Sequence, residues 1–226
     1  MQPEAISVQE VLTKATNLIL KDSFELVGAG RTDAGVHASQ MYAHFDTDVI
    51  FNFEDIVRKV NSYLPEDIAV FRIFPVSNEA HTRFDATART YEYHIHLQKN
   101  VFAKDLSWYH FRKLNIEKMN QAAKILLEYE DFECFSKTHT DVFTFNCTIT
   151  EAFWELNNDR LVFTISANRF LRNMVRAIVG TLINIGLEKI EVQEIRTIIE
   201  SKNRGKAGFS VPAHGLYLTK VSYPYI

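Results

Sequence analysis

The stretch Gly28-Ala29-Gly30-Arg31-Thr32-Asp33-Ala34-Gly35-Val36-His37 decides how this chain is read. Three glycines surround an Arg-Thr-Asp core, and glycine lets backbone take a positive φ or approach another molecule closely. Phe24, Leu26 and Val27 precede the segment, and Met41, Ala43 and Phe45 alternate after it. The pattern is a tight loop between two strands with a carboxylate at its tip. Asp33 with Arg31 two residues away is a candidate catalytic pair, because a neighbouring cation favours the charged carboxylate. An ordinary turn is the competing reading, since Asp beside Gly is common turn chemistry.

Outward from the loop, helical and strand periodicities alternate. Ser7-Val8-Gln9-Glu10 has the form of a capping box, and Val8, Val11, Leu12, Ala15, Leu18 and Ile19 follow at helical spacing. Strands are expected at 24–28 and 40–46, a helix from Phe53 to Tyr63 stopped by Leu64-Pro65, and strands at 68–76 and 90–97. Asn115 caps an expected helix running through Leu127. A long strand from Phe143 to Leu156 turns at 157–160 into a strand at 161–167. Helices at 171–185 and 191–200 and a strand near 215–223 complete the reading. The helix at 171–185 and the strand at 161–167 are also candidates for a subunit interface. The fold expected is α+β: two similar α/β halves, 1–100 and 101–226, with mainly antiparallel sheets and a cleft between them as the natural place for a site.

Composition narrows the class. The 226 residues are 46% hydrophobic with few Pro and Gly, which suits a globular chain. No apolar run is long enough to span a bilayer, and Met1 to Glu10 lacks the basic flank and apolar core of a signal peptide. Two cysteines, Cys134 and Cys147, make neither a disulfide framework nor a four-ligand metal site. A cytoplasmic protein with reduced thiols is expected. The net charge of −3 says little about polyanions, which are recognised by local patches.

Three further clusters carry chemistry. Arg83-Phe84-Asp85 leads to Arg89 and the strand Tyr91-Glu92-Tyr93. Arg83 and Arg89 suit phosphate, and Tyr91 offers a face for a planar ring, unless it simply packs a core. Arg169, Arg172 and Arg176 share one face of the expected helix. Arg176 precedes a mostly apolar stretch, so it needs an acidic partner, and Asp33 is the candidate. Lys202, Arg204 and Lys206 around Gly205 read as a solvated basic loop. His94 and His96 lie two apart on a strand, but no carboxylate or cysteine set completes a zinc pattern. No phosphate-loop, dinucleotide or serine-nucleophile signature is present.

At these residues the chain closely resembles the tRNA pseudouridine synthase A family. Gly30 to Ala38 (GRTDAGVHA) resembles that family's signature around its catalytic aspartate, which corresponds to Asp33. Arg83 to Tyr93 (RFDATARTYEY) resembles a second block, with Tyr91 at its first strand tyrosine. Asn168 to Gly180 (NRFLRNMVRAIVG) resembles a third, with Arg176 as its basic residue. Leu64 to Val70 and Gly215 to Leu218 also match.

The resemblance implies isomerisation of uridine to pseudouridine in the anticodon stem-loop of tRNA, at nucleotide positions 38–40, by a homodimer without metal or organic cofactor. It implies Asp33 as the catalytic group, Tyr91, Arg31, Arg83 and Arg176 as substrate-binding, and Arg89, Arg169 and Arg172 as RNA-binding residues. The family also begins with a strand and a Gly-Trp-Gln-type loop that Met1 to Ile6 do not supply. The expectation is therefore an N-terminal sheet short of one strand, in a shortened chain with impaired folding or activity. Two other classes remain open: an RNA-binding protein without catalysis, and a metal-dependent hydrolase built on His94 and His96.

Overall fold

The computed structural model describes residues 6–138 and 142–226. Two units emerge, one formed by Met1–Arg31 and Tyr42–Asp85, the other by Thr32–Met41 and Ala86–Ile226.

The first unit is built on two helices. Ser7 Oγ accepts from Glu10 N–H and opens α1 (Val8–Leu20); Asn52 does the same for Asp55 N–H at the start of α2 (Phe53–Tyr63). The pre-proline residue Leu64 turns to ψ 150 and ends α2. Ala15 and Leu20 of α1 pack with Ile56, Val60 and Leu64, and Phe24, Phe45, Ile68, Val70 and Ile73 close over them. Strand pairing here is sparser than the periodicity predicts. Among the described residues of this unit, only β1 (Val27–Gly28) and β3 (Ala43–His44) form a ladder, and it is antiparallel. Residues 68–76 join no ladder among the described residues. Alternation reports one buried face, but a ladder also needs a backbone partner. Side chains substitute for it: Asn61 bonds both the N–H and the C=O of Val70 at 2.7 Å, and Asn17 does the same for Phe24 at 3.3 and 2.9 Å.

The second unit holds the larger core. Its six-stranded sheet runs β2 (His37–Ala38), β8 (Leu216–Ser222), β4 (Ala88–His96), β7 (Arg160–Ala167), β6 (Ile149–Asn157), with β5 (Trp108–Tyr109) on the end of β4. β2–β8 and β4–β5 are parallel and the other pairings antiparallel, as expected for a mixed α/β fold with mainly antiparallel sheets. Asn158, at φ 57, makes the two-residue turn from β6 to β7. β6 starts six residues later than the expected strand at Phe143.

Tyr93, Ile95, Phe163 and Ile165 point from the sheet into a core shared with α3 (Ile116–Ile125), α4 (Met174–Gly186) and α5 (Glu194–Glu200). α3 ends two residues short of Leu127, in a 3₁₀ turn at Leu126–Glu128. Cys134 and Cys147 are free and buried, and burial pushes their thiols up to about 12 and about 11.

α4 corrects the expected amphipathic helix at 171–185. Asn173 sits at φ 67, a left-handed conformation that stops helix from extending towards Arg169 and Arg172. Eleven of the thirteen residues of α4 are buried, so it has no basic face; Arg176 and Asn184 are the exceptions. α4 is immersed in the core, and β7 lies between β4 and β6 with Val162 and Thr164 half-buried on the face away from that core.

Candidate active site

Asp33 belongs to the second unit because the end of its loop is sewn into that unit's sheet. His37 pairs with Tyr217 and Ala38 with Leu218, while Leu218 also pairs with Tyr91 on β4. Ala38 and Tyr91 are therefore two strands apart, about 10 Å. Ahead of β2, Val36 N–H donates to Asp33 C=O at 3.1 Å and Gly35 has φ +80, which makes 33–36 a turn that requires glycine at its third position. The turn reading of this loop is met, and the turn is what points the carboxylate towards Arg176.

The carboxylate meets Arg176. Arg176 Nη1 donates to Asp33 Oδ2 at 2.9 Å, and Nε donates to the carbonyl of Val211 at 2.8 Å. The side chains of Arg176 and Asp33 are 20% and 27% exposed, so the pair is shielded enough to outlast a surface ion pair yet still reachable from outside. Val211 N–H returns a bond to Arg176 C=O at 3.3 Å, and Tyr93 Oη donates to Pro212 C=O at 2.8 Å. The arginine is thus held by backbone on one side and holds Asp33 on the other.

Tyr91 packs edge-on against Phe170, with ring centroids 5.2 Å apart and planes at 90°. Burial pushes its phenol up to about 12, opposed by Arg89 and reinforced by Asp33. The hydroxyl is neutral at any ordinary pH, so what Tyr91 presents is an uncharged ring within the field of Asp33.

The remaining predicted arginines have different surroundings. Arg89 Nη1 donates to Asn168 C=O at 3.1 Å, tying β4 to the chain leaving β7. Arg172 is exposed, and its carbonyl accepts from Lys137 N–H at 3.0 Å. Arg169 is half-buried and precedes α4, as Arg172 does. Arg31 and Arg83 lie in the first unit and are exposed; the Arg83 guanidinium sits 5.7 Å from the centroid of Phe84.

His94 is already committed. Its Nε2 lies 2.8 Å from Glu92 Oε2 and its Nδ1 2.8 Å from Arg160 Nη2, while His96 Nδ1 bonds Ser107 Oγ at 2.6 Å. Both ring nitrogens of His94 being taken argues against the metallohydrolase reading.

Three contributors were not assigned to the site from the sequence: the carbonyl of Val211, the Tyr93 hydroxyl and the fork of Arg204. Tyr93 was visible as a core position, but a backbone carbonyl leaves no sequence signal. The supposedly solvated Arg204 is half-buried and donates to Gly208 C=O at 2.9 Å and Ser210 Oγ at 3.0 Å.

Comparison with known proteins places this arrangement. A family profile described as "tRNA pseudouridine synthase" matches residues 122–224. The chain is 49% identical over 225 residues to a protein of Parabacteroides distasonis named "tRNA pseudouridine synthase A", covering 99% of this chain and 89% of that one. A protein of the same name from Porphyromonas gingivalis is 49% identical over 227 residues, covering 99% and 90%. One from Bacillus subtilis is 37% identical over 227 residues, covering 99% and 92%. Fold and matched segments are those of a pseudouridine synthase, an isomerase acting on uridine in tRNA. Within that class, the chain belongs to the tRNA pseudouridine synthase A family.

Proposed function

We propose that this chain converts uridine to pseudouridine in the anticodon stem-loop of tRNA, at nucleotide positions 38–40, with Asp33 as the catalytic carboxylate. The observation that carries this reading is the shielded ion pair between Asp33 and an arginine that is itself fixed by the Val211 carbonyl. Such a pair holds a carboxylate in a fixed direction while leaving one of its oxygens free of the arginine.

The target uridine leaves the base stack, at a cost of a few kcal/mol. Tyr91 provides a neutral ring for the extruded base to stack on. Asp33 initiates cleavage of the N1–C1′ bond. The base turns in place and C5 bonds to C1′ in place of the broken N1–C1′ bond; C5 then gives up its proton and N1, which carries none in uridine, gains one, so the composition is unchanged. Arg89, Arg169 and Arg172 of the same unit suit the phosphates around the flipped nucleotide, with Arg31 and Arg83 assigned to the substrate by their positions in the matching motifs. A cytoplasmic homodimer belongs to the same reading, carried by the family resemblance; light scattering of the purified protein tests the dimer.

The test is tritium release from tRNA labelled at uridine C5. Asp33→Asn should bind tRNA with near-normal affinity and release nothing measurable. Full release by Asp33→Asn would overturn the assignment, and binding without release by the unaltered protein would favour the RNA-binding reading instead.

A further inference from the structure

Residues 203–212, between α5 and β8, are held against α4 by an array of polar contacts, and the backbone of Val211 bonds Arg176. Arg204 Nη1 donates to Gly208 C=O at 2.9 Å and its Nη2 to Ser210 Oγ at 3.0 Å. The same Ser210 oxygen accepts from Asn173 Nδ2 at 2.7 Å, and Gly208 N–H donates to Thr181 Oγ1 at 2.8 Å. One residue past Ser210 comes the Val211 carbonyl that receives Arg176 Nε.

We propose that Arg204 is a positioning residue for the isomerisation: its guanidinium fork sets the curvature of Gly208 to Ser210, which aims the Val211 carbonyl at Arg176, which in turn aims Asp33. This rests on the reading of Asp33 as the reacting carboxylate. A guanidinium is suited to the task because its donors have a fixed planar spacing. It bridges two acceptors two residues apart and so defines the bend between them. A lysine supplies charge and donors but no fixed spacing. The donors of Arg204 that are spent on Gly208 and Ser210 are not offered to a phosphate, so despite its place in a basic loop it contributes geometry rather than RNA affinity. The chain of contacts lies wholly inside the second unit, with Asp33 at its far end.

The experiment compares Arg204→Ala, Arg204→Lys, Ser210→Ala and the Arg204→Ala/Ser210→Ala double variant in the full chain. Pseudouridine formation on tRNA is followed well below each variant's Tm, with Asp33→Asn as control. A misplacement approaching 1 Å costs up to about 100-fold in rate, so Arg204→Ala should lose about 10- to 100-fold in kcat. KM for tRNA should stay within about 2-fold, because phosphate contacts are untouched. Lysine should recover only part of the loss, and the double variant should be little worse than Arg204→Ala alone, since both cut the same link.

A rise in KM with a shallower salt dependence and unchanged kcat would make Arg204 an RNA contact and overturn the proposal. So would a lowered Tm with unchanged kcat, which marks a merely structural role. If Arg204→Ala does not fold, Ser210→Ala and Arg204→Lys carry the same test. Activity in Asp33→Asn would instead overturn the underlying assignment; an inactive Asp33→Asn with full kcat in every folded Arg204 and Ser210 variant overturns only the role of Arg204.

Discussion

A single methyl group placed on α4 should disarm this protein while leaving it folded. A Cβ added at Gly180 would lie 1.8 Å from the carbonyl oxygen of Phe209 and 2.9 Å from its carbon. Ordinary contact begins near 3.4 Å, so the Phe209 backbone must retreat by about 1.6 Å. α4 cannot yield instead, because it is buried in the core. Phe209 can, since the residue is 48% exposed.

The stability cost of Gly180→Ala is then that of moderate overpacking, about 1–3 kcal/mol. For a chain of this length that is a fall in Tm of about 2–12 °C. The catalytic cost is larger. Val211 lies two residues beyond Phe209 and holds Arg176 through bonds in both directions. A displacement above 1 Å passed to Arg176 and Asp33 should reduce kcat by about 100-fold or more. Circular dichroism melting and single-turnover pseudouridine formation at a temperature where the variant is fully folded measure the two effects separately. Wild-type Tm and kcat would refute the packing argument. A lowered Tm with unchanged kcat would refute the coupling between this segment and the ion pair.

Tyr91→Phe should keep kcat/KM within a few-fold of the original, because the phenol stays neutral to about pH 12 and the ring is retained. Tyr91→Ala should lose about 1–3 kcal/mol of base stacking in kcat/KM; equal losses in the two variants would contradict a stacking role. Burial lowers the pKa of His44, His94, His96 and His110 from the usual 6.5. As pH falls the unfolded chain therefore takes up protons first, and the stability from these neutral histidines is complete above pH 6.5 and lost as pH drops through their folded values. Tm should decline below pH 6.5, and His110→Phe, which also removes a buried Nε2 with no hydrogen-bond partner among the described residues, should shallow that decline. A Tm that stays flat below pH 6.5 in the unaltered protein would count against this linkage.

Helices were the legible part of this chain, and strands were legible as buried faces rather than as pairings. Ser7 and Asn52 mark helix starts because a cap is a local event readable from a few residues. β2, only two residues long, has no periodicity to find; it exists because β8 is there to receive it. Residues 68–76 show the reverse case, a strand-like pattern without a ladder. The helix expected at 171–185 begins late because Asn173 adopts a backbone conformation that residue type permits but does not announce. At the site, motif matching singled out Asp33, Tyr91 and Arg176, since charged and aromatic side chains are visible in sequence. The carbonyl of Val211 and the fork of Arg204 are set by tertiary contacts and were not visible.

The parallel pairing of β2 with β8 also has a consequence for the timing of synthesis. It joins His37 to Tyr217, about 180 residues further along the chain. A ribosome adds residues at roughly 5–20 per second, so the Asp33 loop is out of the exit tunnel many seconds before β8 exists to hold it. During that interval the chain carries the Asp33 carboxylate with neither the strand that fixes its loop nor the segment that holds Arg176. On the proposed role of Asp33, a nascent chain has no working centre to turn on RNA while it is still being made, and competence arrives only when β8 takes its place beside β4.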